Sequence, residues 1–262
     1  MKSTRAKVLH EISGRSLLGH VLHAVSSLNP VTTRVVVGAA KEDVIAHLKE
    51  ISPHTQTIYQ EVRGGTGHAV KLALDNYSAN GTMIVCAGDT PLLTGATLSD
   101  LVKEHNASGA SATVLTAEMP DPSGYGRVIR SSDGSLSKIV EEKDASENEK
   151  ETLEINSGVY IFAVSDLRNA LTKISTKNAQ KEEYLTDVIG ILKGEGKKVA
   201  AFAAADYTEV WGINDRAQLS TCSFVFNARI CDALMKSGVT IEDPMTTWVD
   251  VTAEIAVDVR LE

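Results

Sequence analysis

Asp89 closes the run Met83-Ile84-Val85-Cys86-Ala87-Gly88-Asp89-Thr90-Pro91, in which an apolar strand pattern stops abruptly at Gly-Asp. Open α/β sheets bind ligands beyond the carboxyl ends of their strands, so this run delivers one carboxylate to the place where a ligand sits. Gly88 removes bulk beside it, and Pro91 cannot extend the ladder. A carboxylate at such an edge suits a hard cation that carries phosphates, which makes metal-assisted chemistry on a phosphorylated substrate the first expectation. The same dipeptide alone also serves as a plain turn after a strand.

A second constellation is Gln60-Glu61-Val62-Arg63-Gly64-Gly65-Thr66-Gly67-His68-Ala69. It follows a strand pattern and opens a helical one, so backbone amides and the helix dipole face whatever anionic or polar ligand approaches. No Gly-Lys-Ser/Thr follows, which excludes a Walker loop. A structural glycine turn stays open as the alternative, as does a capping or partly buried role for His68. Lys7, in Ala6-Lys7-Val8-Leu9-His10, precedes a predicted helix and reads equally as a surface charge. Asn156, beside an apolar strand, must find hydrogen-bond partners. Glu141, after Lys138-Ile139-Val140, and Asn214, in Gly212-Ile213-Asn214-Asp215, make sense as edge-of-strand ligands, although Asn214 also fits a helix N-cap.

The elements that must position these groups alternate. Val35 to Val37 precedes a helix over Asp43 to Ile51, and Gln56 to Tyr59 precedes one over His68 to Leu74. Met83 to Ala87 precedes a helix over Leu98 to His105, and Ala112 to Ala117 a turn-rich segment. That order predicts a parallel sheet with crossover helices. Val128 to Arg130, the Asp133-Gly134 turn and Leu136 to Val140 read as a β-hairpin, expected to form an insertion or second lobe. Glu141 to Glu151 reads as a solvated loop or short helix. Ser157 to Phe162 and Lys198 to Ala203 read as strands, and Leu167 to Ile174 and Tyr184 to Leu192 as helices. A long helix from Asn214 ends at Gly238, after which Val249, Ile255 and Leu261 recur every six residues, the period of a left-handed β-helix.

The 262 residues, 43% of them hydrophobic, suffice for one α/β domain with an appendage. A formal charge of -8 and the lack of a basic stripe oppose binding to nucleic acid or an anionic membrane surface. No apolar run approaches the roughly 18 residues of a membrane span, and no signal-peptide core follows Met1 to Lys7. The three cysteines lack metal-type spacing, and Cys86 fits a small hydrophobe. A cytoplasmic location is expected.

Taken in order, Lys7-Val8-Leu9-His10, Gly65-Thr66-Gly67-His68-Ala69, Gly88-Asp89-Thr90-Pro91-Leu92, Asp121-Pro122-Ser123-Gly124-Tyr125-Gly126-Arg127, Ile139-Val140-Glu141-Glu142-Lys143-Asp144, Glu154-Ile155-Asn156-Ser157-Gly158, Tyr184-Leu185-Thr186-Asp187 and Gly212-Ile213-Asn214-Asp215-Arg216 resemble the motifs of bacterial N-acetylglucosamine-1-phosphate uridyltransferases. In that family the domain is the amino-terminal half of a bifunctional enzyme whose other half is an acetyltransferase. The resemblance implies a Rossmann-like, mixed but mostly parallel α/β sheet of the sugar nucleotidyltransferase (GT-A-like) type over residues 1–213, a connecting helix over 214–238 and the first coil of a left-handed β-helix over 239–262. It implies transfer of UMP from UTP to N-acetylglucosamine 1-phosphate, giving UDP-N-acetylglucosamine and pyrophosphate for cell-wall precursor synthesis. Carried over by residue, Asp89 and Asn214 hold Mg²⁺ and Lys7 meets the phosphates. Gln60, Gly65 and Thr66 read the uracil, and Gly126, Glu141, Asn156 and Thr186 line the sugar pocket with Tyr184 beside them.

The family's opening strand and glycine-rich phosphate loop are not among these motifs, because Met1 stands just after the position of that loop, and Ala6 replaces a proline before Lys7. Loss of phosphate contacts and of strand pairing is expected where that segment is absent. The alternatives are therefore a non-catalytic remnant that binds nucleotide sugars, or a nucleotidyltransferase for another sugar 1-phosphate. The family's trimers form through the β-helix, of which little is present here.

Overall fold

The computed structural model describes every residue except Ala39 and Ala79. A 3-10 turn at Lys7–Leu9 leads through two short paired strands, β1 (Glu11–Ile12) and β2 (Arg15–Ser16), into helix α1 (Leu17–Ser26). The helix expected after Lys7 thus starts ten residues further on. It begins where Ser16 can accept the Gly19 N–H at 3.0 Å, a hydroxyl cap that satisfies one orphan donor of the first turn.

Strand β3 (Arg34–Val37), helix α2 (Lys41–Ile51), strand β4 (Gln56–Tyr59) and helix α3 (Thr66–Leu74) follow, with β3 and β4 paired in parallel around their crossover. Next come β5 (Thr82–Val85), α4 (Gly95–Ser108), β6 (Ala112–Glu118), the hairpin β7 (Arg127–Arg130) and β8 (Leu136–Val140), and the single-turn α5 (Glu147–Lys150). The long strand β9 (Glu154–Ala163), helices α6 (Val164–Leu171) and α7 (Asp187–Gly194), and strand β10 (Val199–Ala203) complete the layered body.

The central sheet runs β10-β6-β9-β7-β8, with β5 also paired to β9. β6 is parallel to β10 and antiparallel to β9, and β9 is antiparallel to β5 and β7. Strands β5, β6, β7 and β10 therefore share one direction, against β8 and β9, and the fold is the mixed α/β sheet expected. β6 is buried from Ala112 to Ala117 because helices cover both faces. On one face Val114 and Phe162 pack against Leu74 of α3, Leu167 of α6 and Val188 of α7. On the other, Leu115 and Ile161 meet Leu98 and Leu101 of α4. Each fully buried side chain of this kind contributes about 1.5–3 kcal/mol.

Two expectations need correction. The hairpin β7–β8 is not a second lobe, since Arg127 pairs with Ile155 and joins it to the central sheet. Tyr184, Leu185 and Thr186 precede α7 rather than open it, because the Leu185 N–H is spent on the Thr66 hydroxyl at 3.0 Å. Among the described residues β3 pairs only with β4 and β5 only with β9, leaving each an unpaired edge.

Helix α8 (Arg216–Lys236) leaves this body, and Gly238, at φ +99°, follows its end in the left-handed region that glycine tolerates. Beyond it β11 (Thr240–Ile241) and β12 (Arg260–Leu261) pair in parallel, with Cys231, Val239, Ile241, Ile255 and Leu261 forming a small core beneath.

Candidate active site

Asp89 sits just past β5, 19% of its side chain exposed. The Ile213 N–H donates to its backbone carbonyl at 3.1 Å, which pins the segment before α8 to the end of the strand. Into this junction reaches Lys7, whose ammonium pairs with the Asp89 carboxylate and donates to Asn214 Oδ1 at 3.1 Å. The cap alternative for Asn214 falls away, because Asp215 caps α8 by accepting the Gln218 N–H at 2.8 Å.

Two oxygen donors, one anionic and one amide, thus converge on one positive charge. Among the described residues no group of three or more His, Cys, Asp or Glu side chains is arranged to hold a metal ion. The pair nonetheless fits Mg²⁺, which is commonly held by one or two carboxylates and completes its octahedron with water and substrate phosphates. Asp89 and Asn214 would hold the ion from the place Lys7 now occupies.

Of the residues expected to line a sugar pocket, Gly126 precedes β7, Glu141 follows β8, Asn156 lies in β9, and Tyr184 and Thr186 precede α7. The Asn156 N–H donates to the Gly126 carbonyl at 2.8 Å, and a Cβ on Gly126 would lie 3.4 Å from Ile139 and the Val140 carbonyl. Glu141 accepts from the Thr186 hydroxyl at 3.0 Å. Burial raises the Glu141 carboxyl above its usual value, the Thr186 bond opposes that, and the charges of Asp144 and Asp187 add to it. Burial likewise raises the Tyr160 phenol, with Glu141 reinforcing and an Asn156 hydrogen bond opposing. Thr186 and Tyr184 are 3% and 5% exposed. Thr186 borders a cavity of about 320 Å³ with Lys138, Ile139, Ile174 and Asp187.

Among the residues expected to read the base, Gln60 Nε2 donates to the Gly65 carbonyl at 3.1 Å and lies 3.1 Å from His68 Nδ1. Gly65 adopts φ +96° as the residue before α3, and its missing Cβ would lie 2.5 Å from the Glu183 carbonyl oxygen. The glycine reading and the ligand reading are therefore compatible, since the same loop is sterically constrained and borders a cleft of about 490 Å³ through Gly64, His68 and Tyr59.

Three residues given no role in the sequence emerge here. The Tyr125 hydroxyl accepts the Gly212 N–H at 3.1 Å, tying the loop before β7 to the segment that carries Asn214. Arg127, 2% exposed, pairs with Glu142 at 2.7 Å and donates to the carbonyls of Tyr125 and Lys150. Glu183 exchanges backbone bonds with Gly64 and Gly67 of the glycine loop and pairs with Lys71 at 2.7 Å. Tyr125 and Arg127 flank Gly126 in the sequence, and that adjacency was the only available signal. Nothing local marks Glu183.

A mixed sheet flanked by helices, with a carboxylate past one strand end and a glycine-rich entrance to a helix, is an α/β fold of the kind that binds ligands at its strand ends. HddC from Yersinia pseudotuberculosis superimposes with a TM-score of 0.62 at 17% identity, covering 86% of this chain and 92% of its own. A nucleoside-diphosphate-sugar pyrophosphorylase from Vibrio cholerae RC9 does so with a TM-score of 0.58 at 15% identity, covering 78% and 85%. The chain belongs to the nucleotidyl transferase family, whose profile matches residues 2–253. It is 50% identical over 267 residues to the bifunctional protein GlmU of Thermobifida fusca, all of this chain against 55% of that protein. Against GlmU of Streptomyces coelicolor it is 50% identical over 262 residues, 99% of this chain and 54% of the relative. The chain thus spans about half the length of the curated relatives it matches. Among the described residues no helix is long and apolar enough to cross a membrane.

Proposed function

We propose that this chain is a cytoplasmic uridyltransferase that joins UTP and N-acetylglucosamine 1-phosphate, giving UDP-N-acetylglucosamine and pyrophosphate. The observation that carries the reading is the convergence of Asp89 and Asn214 on the Lys7 ammonium at the carboxyl edge of β5. The ordered motifs support the substrate pair, the nucleotidyl transferase family and the GlmU relatives support a sugar-nucleotide pyrophosphorylase, and the parallel pairing of β11 with β12 supports a β-helix coil over 239–262.

The reaction asks little acid-base chemistry of the protein. The phosphate oxygen of the sugar is already anionic and attacks the α-phosphorus of UTP. One P–O bond forms there as the bond to the β-phosphate breaks, and pyrophosphate leaves with the electron pair. What remains is alignment and charge neutralisation. Mg²⁺, when bound, supplies Lewis-acid stabilisation of the phosphates. Asp89 and Asn214 would hold that ion at the strand edge, and the Lys7 ammonium beside them would neutralise phosphate oxygens. Gln60, Gly65 and Thr66 orient the base, while Gly126, Glu141, Asn156 and Thr186, with Tyr184 behind them, orient the sugar.

The test is pyrophosphate release by this chain with UTP, N-acetylglucosamine 1-phosphate and Mg²⁺, beside Asp89→Ala. Release that disappears in the variant is the expected result. Preference for glucose 1-phosphate in direct competition would move the reading to another sugar, and binding without turnover would make the chain a nucleotide-sugar-binding protein.

A further inference from the structure

The segment assigned to the base and the segment assigned to the sugar are bonded to each other. The Gly67 N–H donates to the Glu183 carbonyl at 2.7 Å, and the Glu183 N–H donates back to the Gly64 carbonyl at 2.7 Å. The Leu185 N–H donates to the Thr66 hydroxyl at 3.0 Å, and Lys71 pairs with the Glu183 carboxylate at 2.7 Å across half-buried side chains. The seam is tight: a Cβ on Gly67 would lie 2.9 Å from the Glu183 carbonyl oxygen. One residue beyond the seam, Thr186 donates to Glu141. A continuous path therefore runs from Gln60 and Gly65 through Thr66, Leu185 and Thr186 to Glu141.

We infer that Glu183 is a positioning residue that couples the two half-sites, so that a nucleotide on residues 60–66 raises affinity for the sugar phosphate and the reverse. The inference rests on the proposed assignment of each segment to its ligand. Three physical facts support it. Backbone bonds in both directions make the two segments one body, and a ligand that orders either must order both. Thr66 spends an acceptor on Leu185 and keeps its one O–H for a ligand. Donation of that O–H strengthens the hydroxyl as an acceptor, and so tightens the bond to Leu185. Coupling is reciprocal by linkage.

The experiment is calorimetric titration of the full chain with a UTP analogue carrying a methylene between the α- and β-phosphates, with and without saturating N-acetylglucosamine 1-phosphate. No turnover occurs, and the ratio of the two dissociation constants is the coupling factor. At least about fivefold tightening is expected in the wild type, within the range typical of site-site coupling. Lys71→Met, which removes the partner of the Glu183 carboxylate, is expected to bring the factor close to one while each ligand alone binds within about threefold of wild type, and a wild-type factor in this variant would overturn the role of Glu183. Hydrogen exchange supplies a measurement free of variants: the analogue alone should slow exchange of the Glu183 and Leu185 amides. Independent binding of both ligands by the wild type, or exchange at those amides unaltered by the analogue, overturns the coupling and leaves the functional reading standing. Binding of neither ligand overturns the functional reading and the coupling with it.

Discussion

Replacing Arg127 with Met tests whether a buried guanidinium holds the sugar side of the site together. Its side chain is 2% exposed and pairs at 2.7 Å with Glu142, which is 34% exposed. It also donates to the carbonyls of Tyr125 and Lys150. Removing one partner of a fully buried pair costs about 3–5 kcal/mol. Here the stranded Glu142 carboxylate can turn partly to water, and Met retains most of the packing of the arginine stem, so about 2–3 kcal/mol is the expected loss. For a domain of this size each kcal/mol lowers Tm by roughly 2–4 °C, which sets the shift at about 4–12 °C. Tyr125 and Glu142 adjoin Gly126 and Glu141, so KM for N-acetylglucosamine 1-phosphate should rise about tenfold, with KM for UTP within about twofold. Circular dichroism melting and initial rates with each substrate varied in turn measure both. Arg127→Lys keeps the charge without the planar fork and should recover only part of the loss. A Tm change under about 2 °C, or equal rises in both KM values, would refute the argument.

The remaining predictions concern charge. Asp89→Ala should lower pyrophosphate release at least about 100-fold, as loss of a metal-positioning carboxylate implies, with little change in melting temperature. Lys7→Met should tighten binding of Mn²⁺, read by electron paramagnetic resonance, by about three- to tenfold, because the competing ammonium is gone, even as turnover falls; weaker Mn²⁺ binding would show that Lys7 supports the cation site rather than filling it. Glu141→Gln should become more stable relative to wild type as pH rises. The unfolded chain ionises this carboxyl near its ordinary value of about 4.5, whereas the folded chain holds the proton to higher pH because of burial. Across that window the native state binds more protons, so wild-type stability falls with rising pH and then levels off. Denaturant midpoints between pH 4 and 8 that run parallel for the two proteins would contradict the assignment.

Much of the fold is legible in the residues because most elements advertise their period. Gln56 to Tyr59 forms a strand at the bounds its pattern predicts, and α3 opens at Thr66 just past the glycines. Strand direction carries no such mark. β6 is buried on both faces, so its run of apolar and threonine side chains is the same whether its neighbour is parallel or antiparallel. The hairpin around Asp133-Gly134 is local and was readable; its attachment to β9 depends on a partner more than twenty residues away. Tyr184 to Leu192 has the apolar spacing of a helix, but Leu185 and Thr186 are captured by long-range bonds to Thr66 and Glu141 that no local pattern encodes. Arg127 illustrates the same limit in charge: residue type argues for exposure, and only the surrounding carbonyls and Glu142 explain its burial.

The antiparallel setting of β9 decides which of its residues lie beside the segment that leads to Asp89. Val85 lies opposite Tyr160, and the ladder runs in opposite senses from there. Two residues further along the β5 side, Ala87 faces Gly158, where an added Cβ would sit 3.8 Å from the Ala87 Cβ. Beyond that point Gly88 and Asp89 turn out of the strand, and β9 shifts register against β6 between Tyr160 and Asn156. A parallel strand in this place would advance with β5, and the residues beside this segment would come from its carboxyl end, next to the crossover to α6. Reversal instead presents the amino-terminal half of β9, where Asn156 is already bonded to Gly126 of the neighbouring loop. Gly158, at φ +78°, keeps that half of the strand free of a side chain beside the approach to Asp89. A sheet of one direction collects ligands at a single row of strand ends; under the proposed assignment, one reversed strand at its centre places the amino-terminal half of β9, with Asn156, on the same side of the sheet as the segment that carries Asp89.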